Sequence, residues 1–340
     1  MHKPNHHSAR ASGPVRLDDP VLDCYLEFVE SRPRHNTLLA TASDLKTFFA
    51  VVDKAPAEVT PADVLGFITE QRKPKGDGRI VRLADGEAGL SARTIKRRLS
   101  SVSGLFSYLV LCGDVAINPV PRGLATRRGG SRGSPLIRSP RTLPRILSPD
   151  EVNALMAALR RHRDRAMVEA MLLGGLRRCE VLGLRFEDLR PGENQVFIAD
   201  GKGGHQRLVP MSPRFFRSLS LYVETERPSE SNTELVFVAL KGAARGQPLA
   251  DDGLDKIVGN AKNRAGLLHC TCHELRHTCL TRLREAGMAL EAVQAQAGHR
   301  SLDSTRVYLH LANNWLAAEY IRAAQIIDAS VRDEFQAVAK

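Results

Sequence analysis

The sequence predicts a mainly α-helical protein with a small β-sheet, in which a helical N-terminal domain precedes an α+β domain. Apolar residues recur at helical spacing through most of residues 17–120, which favours a purely helical unit. Two short runs rich in β-branched residues, 196–198 and 207–210, flank a glycine-rich turn and predict one β-hairpin. Between these regions, residues 121–147 contain many arginines and no acidic residue. Because such a segment cannot bury a core, we expect it to be an interdomain linker.

The composition of the chain favours a nucleic-acid partner. The 340 residues are enough for two domains of ordinary size, and the formal net charge is +11 at pH 7. This charge favours a polyanion, with nucleic acid ahead of an acidic membrane. Aromatic residues make up only 5%, so phosphate contacts by arginine and lysine should dominate over base stacking. No apolar run predicts a transmembrane helix, and six cysteines without a paired framework fit a reducing cytoplasm.

The N-terminal domain is predicted to be a set of amphipathic helices. Residues 1–16 have no apolar core and are expected to form a disordered basic arm. Helices are expected over residues 21–29, 41–52 and 64–69, followed by a loop over 73–90 and a long helix from Ser91 to Gly113. Asp44 is expected in the first turn of the second helix. Thr60 and Pro61 mark the start of the third.

The long helix begins with a cationic turn. Its apolar residues face one side, and the opposite side carries Arg93, Lys96, Arg97 and Arg98. A solvated surface would explain this pattern, but it is equally typical of a surface that contacts DNA phosphates. The linker adds further positive charge, including Arg127 and Arg128, and is expected to lie along a DNA backbone.

The second domain is predicted to begin at a helix cap. Ser148, Pro149 and Glu151 form a capping box for a helix that should run through Arg161, and another apolar helix is expected over 165–174. The β-hairpin follows, with a lysine in its turn. The predicted organisation is an arm (1–16), a helical domain (17–120), a linker (121–147) and an α+β domain (148–340).

The segment from Thr271 to His310 gathers candidate catalytic residues, namely His273, Arg276, His277, His299 and Tyr308. Helical spacing predicts one helix that ends at Gly287, on which His273 and Arg276 lie three residues apart on nearly the same face. A second short helix is expected over 290–297, ending at Gly298. Arginine, histidine and tyrosine side chains can therefore converge at the ends of short helices.

Residues 273–277 also fit the zincin pattern H-E-x-x-H, in which two histidines one helical turn apart bind zinc. The extended metzincin pattern requires glycine at position 280 and histidine at position 283. Both positions hold leucine, Leu280 and Leu283. A zinc protease is therefore a minor alternative, and we predict no metal site.

Four ordered motifs occupy the second domain. They are G-L-R-R-C-E-V-L-G-L at 175–184, G-K-G-G-H-Q-R-L-V-P at 201–210, H-E-L-R-H-T at 273–278 and G-H-R-S at 298–301. Tyr308 follows nine residues after His299. Together they resemble the tyrosine recombinases, or phage integrase family, with its Xer-like and integrase-like members. The resemblance implies a helical core-binding (SAM-like) domain and an α+β tyrosine-recombinase catalytic domain.

The resemblance implies a site-specific DNA recombinase that cuts and rejoins strands through a 3′-phosphotyrosine, in integration, excision or resolution. Arg177 and Arg276 would clamp the scissile phosphate and stabilise the charge of the transition state. Glu180 would hold Arg177 by a carboxylate contact. Whether Arg178 shares the role of Arg177 stays open at this point.

The remaining implied roles concern proton transfer and the nucleophile. Tyr308 would attack phosphorus, and Lys202, in the hairpin turn, would protonate the departing 5′ oxygen. His273 would assist proton movement at the tyrosine, and His299 would donate a hydrogen bond to a phosphate oxygen. Because cationic side chains supply the charge, neither a metal nor another cofactor is expected.

The implied partners are a double-stranded DNA recombination site and other protomers of the same chain, which would form a tetramer on paired sites. Residues 313–329 predict an amphipathic helix that either inserts into a neighbouring protomer, as the resemblance favours, or packs on its own domain. A cytoplasmic protein without a membrane partner is expected. Two other functions stay open: a DNA-binding regulator with a vestigial recombinase site, and a type IB topoisomerase-like activity.

Overall fold

The structure of the chain, a computed structural model, describes residues 15–31, 35–74, 89–121, 123, 136–137, 143–199, 206–299, 305 and 321. The chain forms two compact units, Met1–Arg141 and Thr142–Lys340. Each unit has its own hydrophobic core. None of the helices in the described residues has the length and apolar character required to span a bilayer.

The described part of the first unit is helical, with α1 (Pro20–Glu30), α2 (His35–Val52), α3 (Pro61–Arg72) and α4 (Ala92–Cys112). The starts that the sequence predicts for α3 and α4, and the predicted end of α4, are present. Thr60 forms a capping box at the start of α3. Ser91 caps α4, which ends at Gly113 with a φ of 85°. The core contains Leu26, Phe48, Phe67, Ile95 and Leu105, all at most 1% exposed.

The second helix begins earlier than predicted. Because α2 starts at His35 rather than at residue 41, Asp44 lies in the middle of the helix rather than in its first turn. The carboxylate is buried there and accepts hydrogen bonds from Arg97 at 2.5 Å and from the Ser101 hydroxyl at 2.9 Å. A buried carboxylate is tolerated when such partners satisfy it. Arg97 lies 53 residues further along the chain, so no local pattern could reveal the pairing.

The described part of the second unit contains the helices α5 (Pro149–Ala158), α6 (His162–Gly174), α7 (Arg178–Leu182), α8 (Pro213–Thr225), α9 (Asp251–Arg264), α10 (Cys272–Glu285) and α11 (Leu290–Ala297). The predicted capping box of α5 is present, since Ser148 and Glu151 each accept the backbone N–H of the other. The predicted end of this helix is wrong, because α5 stops at Ala158 rather than at Arg161.

The start of α6 also differs from the prediction, because the helix begins at His162 rather than at residue 165. The carboxylate of Glu226, which follows α8, accepts the backbone N–H groups of His162 and Arg163 at 2.9 Å each. These groups have no partner within a helix, so an acceptor from elsewhere in the chain stabilises the earlier start. The cap is 64 residues away from His162, beyond the reach of a local pattern.

A three-stranded antiparallel sheet lies between α7 and α8 in the chain, with β1 (Leu189–Arg190), β2 (Gln195–Ile198) and β3 (Arg207–Pro210) in the order β1-β2-β3. The predicted hairpin strands β2 and β3 are confirmed, and Val196 pairs with Val209. Both valines are fully buried, so one face of the hairpin joins the core. The hairpin turn, residues 200–205, lies outside the described residues.

The helix α10 carries the H-E-L-R-H-T motif and packs against α6. Gly175, which ends α6 with a φ of 68°, lies so close to α10 that an added Cβ would meet Leu280 at 3.2 Å. Thr278 is fully buried, and its hydroxyl accepts the backbone N–H of Leu147 at 2.9 Å. The predicted short helix is confirmed as α11, which ends at Gly298 with a φ of 60°.

Candidate active site

Arg177 and Glu180 meet at the start of α7. Gly175 ends α6, the chain turns, and Arg177 adopts an extended conformation immediately before α7. Its guanidinium donates to a Glu180 carboxylate oxygen at 2.6 Å and to the Gly298 carbonyl at 3.1 Å. The backbone N–H of Arg177 binds the second carboxylate oxygen at 2.8 Å. The contact predicted between Glu180 and Arg177 is therefore present, at the end of α11 that leads into His299.

Arg178 lies outside this arrangement. Its guanidinium pairs with Asp255 on α9, and its side chain is 37% exposed. The neighbouring Arg177 side chain is only 19% exposed. Of the two adjacent arginines, only Arg177 joins Glu180.

Arg276, on α10, extends towards Glu180 and the end of α11. Its side chain is only 3% exposed, and it donates to the Gly175 carbonyl and, at 2.6 Å, to the Ala297 carbonyl. It also lies 3.3 Å from Nε2 of His299 and 3.9 Å from a Glu180 oxygen. The two arginines that the sequence singled out thus converge on one buried carboxylate.

Arg207, at the start of β3, is a member of this cluster to which the sequence analysis gave no role. It donates to both Glu180 oxygens at 2.9 Å. The signal that could have identified it is the strand period, because Arg207 and the buried Val209 share one face of β3. An arginine on the inward face of a strand requires a partner.

The Glu180 carboxyl is ionised within this cluster. Burial alone would raise its pKa, but the hydrogen bonds and charge of Arg207, together with those of Arg177, lower the pKa below its ordinary value. The Glu180 side chain is fully enclosed, so its charge is balanced by the arginines rather than by solvent. Three guanidinium groups surround one carboxylate, which leaves the cluster net cationic.

His277 and His299, which lie near the cluster, are neutral at neutral pH. Burial, followed by the charges of Arg276 and Arg177, lowers the pKa of His299 to about 4. Burial, followed by the charges of His273 and Arg276, lowers the pKa of His277 to about 4. On α10, Nε2 of His273 lies 2.8 Å from Nε2 of His277, so one ring donates a hydrogen bond to the other.

The tautomer of His299 follows from its neighbours. Arginine can only donate hydrogen bonds, so the His299 Nε2 that faces Arg276 is an acceptor. The proton then resides on Nδ1, which lies 3.0 Å from the hydroxyl of the fully buried Thr305. Among the described residues, His, Cys, Asp and Glu side chains do not gather in any group of three that could hold a metal ion.

Several predicted site residues lie outside the described residues. These are Lys202, Tyr308, Arg127 and Arg128, together with the helix predicted over 313–329 apart from Ile321. The structure brings together Arg177, Glu180, Arg276 and His299, and it joins His273 to His277 on α10.

The predicted cationic turn of α4 lies among the described residues of the first unit. Arg93 and Lys96 are exposed there. Arg97 is half exposed and pairs with Asp44, while the Arg98 side chain is 16% exposed and donates to Gln71. Arg93 and Lys96 thus have the freest access to a polyanion, and Arg98 is largely enclosed by protein.

Buried guanidinium groups beside neutral histidines form a site suited to phosphoryl transfer, since they can stabilise charge on phosphate oxygens without rearranging. Two known protein-family descriptions match the sequence. The phage integrase family matches residues 145–314, and the N-terminal SAM-like domain of phage integrases matches residues 22–113.

Individual relatives extend over most of the chain. The tyrosine recombinase XerC of Thermodesulfovibrio yellowstonii is 30% identical over 284 residues, 81% of this chain and 86% of the relative. The tyrosine recombinase XerD of Lacticaseibacillus casei is 29% identical over 304 residues, 87% of this chain and 94% of the relative. The chain belongs to the phage integrase family and is a tyrosine recombinase. Its H-E-x-x-H pattern, residues 273–277, lies within the range that the family matches.

Solved structures share the fold. The XerH site-specific recombinase bound to a palindromic difH substrate superposes with a TM-score of 0.64 at 23% identity, over 90% of this chain and 84% of that one. A lambda integrase dimer bound to a COC' core site gives a TM-score of 0.60 at 18% identity, over 86% and 94% of the two chains. The mainly helical architecture with a small sheet is thus confirmed as that of tyrosine recombinases.

Proposed function

We propose that this recombinase cuts and rejoins double-stranded DNA at a specific site, with Tyr308 as the nucleophile that forms a 3′-phosphotyrosine. The observation that carries the proposal is the convergence of Arg177 and Arg276 on Glu180 and on the last carbonyls of α11. The XerH and lambda integrase structures are DNA complexes, which supports DNA as the substrate.

The main obstacle to phosphodiester cleavage is the negative charge of the phosphate, which repels a nucleophile. The buried Arg276 and the partly buried Arg177 can neutralise that charge. Arg177 and Arg276 are held by backbone carbonyls and by Glu180, so their orientation is fixed before DNA arrives. Their net positive charge lies in a largely water-excluded place, where it stabilises the pentacoordinate phosphorus more strongly than it would in water.

The covalent step exchanges one phosphate ester bond for another, so the number of ester bonds does not change. The Tyr308 oxygen bonds to phosphorus while the bond to the 5′ oxygen breaks, and the reverse attack by a 5′ hydroxyl reseals a strand. In our proposal the tyrosine proton passes towards His273, and Lys202 protonates the departing 5′ oxygen. Since the bond energy is retained in the phosphotyrosine, resealing requires no nucleotide cofactor.

His299 would donate a hydrogen bond to a phosphate oxygen, which requires a proton on Nε2. A phosphate oxygen that accepts from the same Arg276 nitrogen would replace Nε2 as its acceptor, so Nε2 is released while Arg276 keeps its orientation. The hydroxyl of Thr305 can donate as well as accept, so it still binds Nδ1 after the proton has moved to Nε2. Thr305 therefore makes the change of tautomer compatible with the buried site.

We further propose that α4 contacts DNA phosphates through Arg93 and Lys96, with Arg97 and Arg98 beside them and with Arg127 and Arg128 in the linker. In this proposal residues 17–120 and 121–147 bind DNA, and residues 148–340 carry out the chemistry. Lys96→Ala should lower the slope of log affinity against log salt by about 0.9, the value for one phosphate contact. Lys54→Ala, which removes a lysine paired with Asp63, is the control and should leave that slope unchanged.

Strand exchange requires several protomers, and we propose a tetramer on paired sites in the cytoplasm. The helix predicted over 313–329 would insert into a neighbouring protomer and couple the nucleophile to assembly. Deleting residues 313–340 should weaken cooperative binding to paired half-sites much more than binding to a single half-site. Equal losses on both substrates would show that this segment packs on its own domain.

Covalent trapping tests the chemistry. The bound sequence is first selected from a random duplex library, and a duplex nicked next to that sequence then releases the 5′-hydroxyl fragment and prevents resealing. The wild-type protein should form a protein–DNA adduct that survives denaturing electrophoresis. Tyr308→Phe should bind the duplex with nearly unchanged affinity and form no adduct. Relaxation of a supercoiled plasmid without a site, at multiple turnover, would instead indicate topoisomerase-like activity.

A further inference from the structure

Three consecutive carbonyls at the end of α11 bind three different arginines. The Gln296 carbonyl accepts from Nε of Arg207 at 3.2 Å. The next two, of Ala297 and Gly298, accept from Arg276 at 2.6 Å and from Arg177 at 3.1 Å. The last carbonyls of a helix lack partners within the helix and carry partial negative charge, so this end of α11 is a natural support for guanidinium groups.

Arg207 differs from the other two arginines in how its donors are used. Both terminal nitrogens bind Glu180 in a bidentate pair at 2.9 Å, and Nε binds the Gln296 carbonyl. Its side chain is 11% exposed, so all three nitrogens serve protein partners within the fold. Arg276, by contrast, lies 3.9 Å from the nearest Glu180 oxygen, so the charge of Glu180 is taken up chiefly by Arg207 and Arg177.

We infer that Arg207 is a positioning residue for the proposed cleavage reaction: it neutralises Glu180, and thereby keeps Arg177 and Arg276 oriented towards the scissile phosphate and leaves their positive charge available to it. This inference rests on the proposed function. Without Arg207, the enclosed Glu180 carboxylate would keep its charge and draw the other two guanidiniums onto itself. One of their two positive charges would then be compensated at the place where phosphate charge develops.

The same side chain also connects two segments that bear catalytic residues. Arg207 begins β3, five residues after Lys202, and its contact with the Gln296 carbonyl fixes it to the helix that leads into His299. Gly298 lies against this contact, since an added Cβ would meet the guanidinium carbon of Arg207 at 3.0 Å. Position 298 therefore requires glycine both for its φ of 60° and for the approach of Arg207.

A double-variant cycle tests the inference on the full chain with the nicked duplex described above. Single-turnover adduct formation and duplex affinity are measured for Arg207→Met, Glu180→Gln and the double variant. Arg207→Met should slow cleavage by roughly 10²-fold, the scale of losing one preorganised charge stabiliser, with affinity nearly unchanged. In the Glu180→Gln background no buried carboxylate remains to be neutralised, so the same change should slow cleavage only a few-fold further.

Arg207→Lys is the second variant, and it tests the role even if Arg207→Met does not fold. It keeps the charge and loses the bidentate geometry, so its cleavage rate should lie between those of the wild type and of a charge-deleted variant, at unchanged affinity. Arg245→Met, which removes an exposed arginine paired with Glu230, is the control and should cleave at the wild-type rate.

Two results would overturn the inference. One is that the Arg207→Met and Glu180→Gln losses multiply in the double variant, since independent effects add in free energy. The other is that the Arg207 variants change duplex affinity while the cleavage rate of the bound complex stays at the wild-type value. A wild-type protein that forms no adduct would contradict the proposed function instead, so the two failures are distinguishable.

Discussion

Arg177 and Arg178 are adjacent in sequence but differ in environment, which makes them a matched pair for mutation. Arg177 donates to Glu180 and to the Gly298 carbonyl. Replacing it with alanine leaves Glu180 paired with Arg207 at two 2.9 Å contacts, so the buried carboxylate stays neutralised and the fold should persist. The loss therefore falls on phosphate stabilisation. Cleavage should slow by about 10² to 10³, equivalent to about 2.7–4 kcal/mol of transition-state stabilisation.

Arg178→Ala removes the same charge one residue away. The pair that it breaks with Asp255 is exposed, at 37% and 48% for the two side chains, and such pairs contribute about 0–1 kcal/mol. Cleavage by this variant should therefore stay within about fivefold of the wild-type rate, the factor that corresponds to about 1 kcal/mol. Both variants lose one positive charge, so any long-range effect of net charge on DNA affinity is shared by the two and does not explain a difference in cleavage rate.

The assay is single-turnover adduct formation at saturating protein, which separates the chemical step from binding. Thermal unfolding and non-specific duplex affinity are measured alongside the rate. Equal cleavage rates for Arg177→Ala and Arg178→Ala would refute the assignment of Arg177, as would an Arg178→Ala variant that is the slower of the two.

Two further predictions concern Gly298 and His277. Gly298→Ala and Gly266→Ala both place alanine at a positive φ, 60° and 66°, and each should destabilise the fold by about 1–2 kcal/mol. Only Gly298→Ala should also slow cleavage, because a Cβ at Gly266 would meet no described atom within 4 Å; equal rates would contradict this. Because the pKa of His277 is lowered from 6.5 to about 4, the unfolded state takes up its proton first as the pH falls. The unfolding free energy should thus drop between pH 7 and pH 5 by less in His277→Gln than in the wild type, as measured by denaturant titration.

Features set by local chemistry were predictable from the sequence. The caps of α4 at Ser91 and Gly113 and the end of α11 at Gly298 follow from residues next to the helix ends. The approach of Glu180 to Arg177 is equally local, since the two residues lie three apart. In each case the partner that determines the structure lies within a few residues.

Features that depend on distant partners could not be predicted. The sequence places Asp44 in the first turn of a helix, whereas the structure places it inside α2. There it pairs with Arg97 of another helix, α4. The start of α6 depends on the carboxylate of Glu226. Arg207 acquires a role only because β3 brings it to Glu180, 27 residues earlier in the chain. Such pairings are properties of tertiary packing, on which a local pattern carries no information.

Chemical analysis of the trapped adduct tests the central claim most directly. The adduct is digested with trypsin and nuclease, and the peptide that carries a nucleotide is sequenced by mass spectrometry. We expect modification of Tyr308, one of five tyrosines in the chain, through the 3′ phosphate of the cleaved strand, with a free 5′ hydroxyl on the other fragment. A nucleotide on Tyr320, which shares the same tryptic peptide, or on any other residue would contradict the role proposed for Tyr308, as would attachment through a 5′ phosphate.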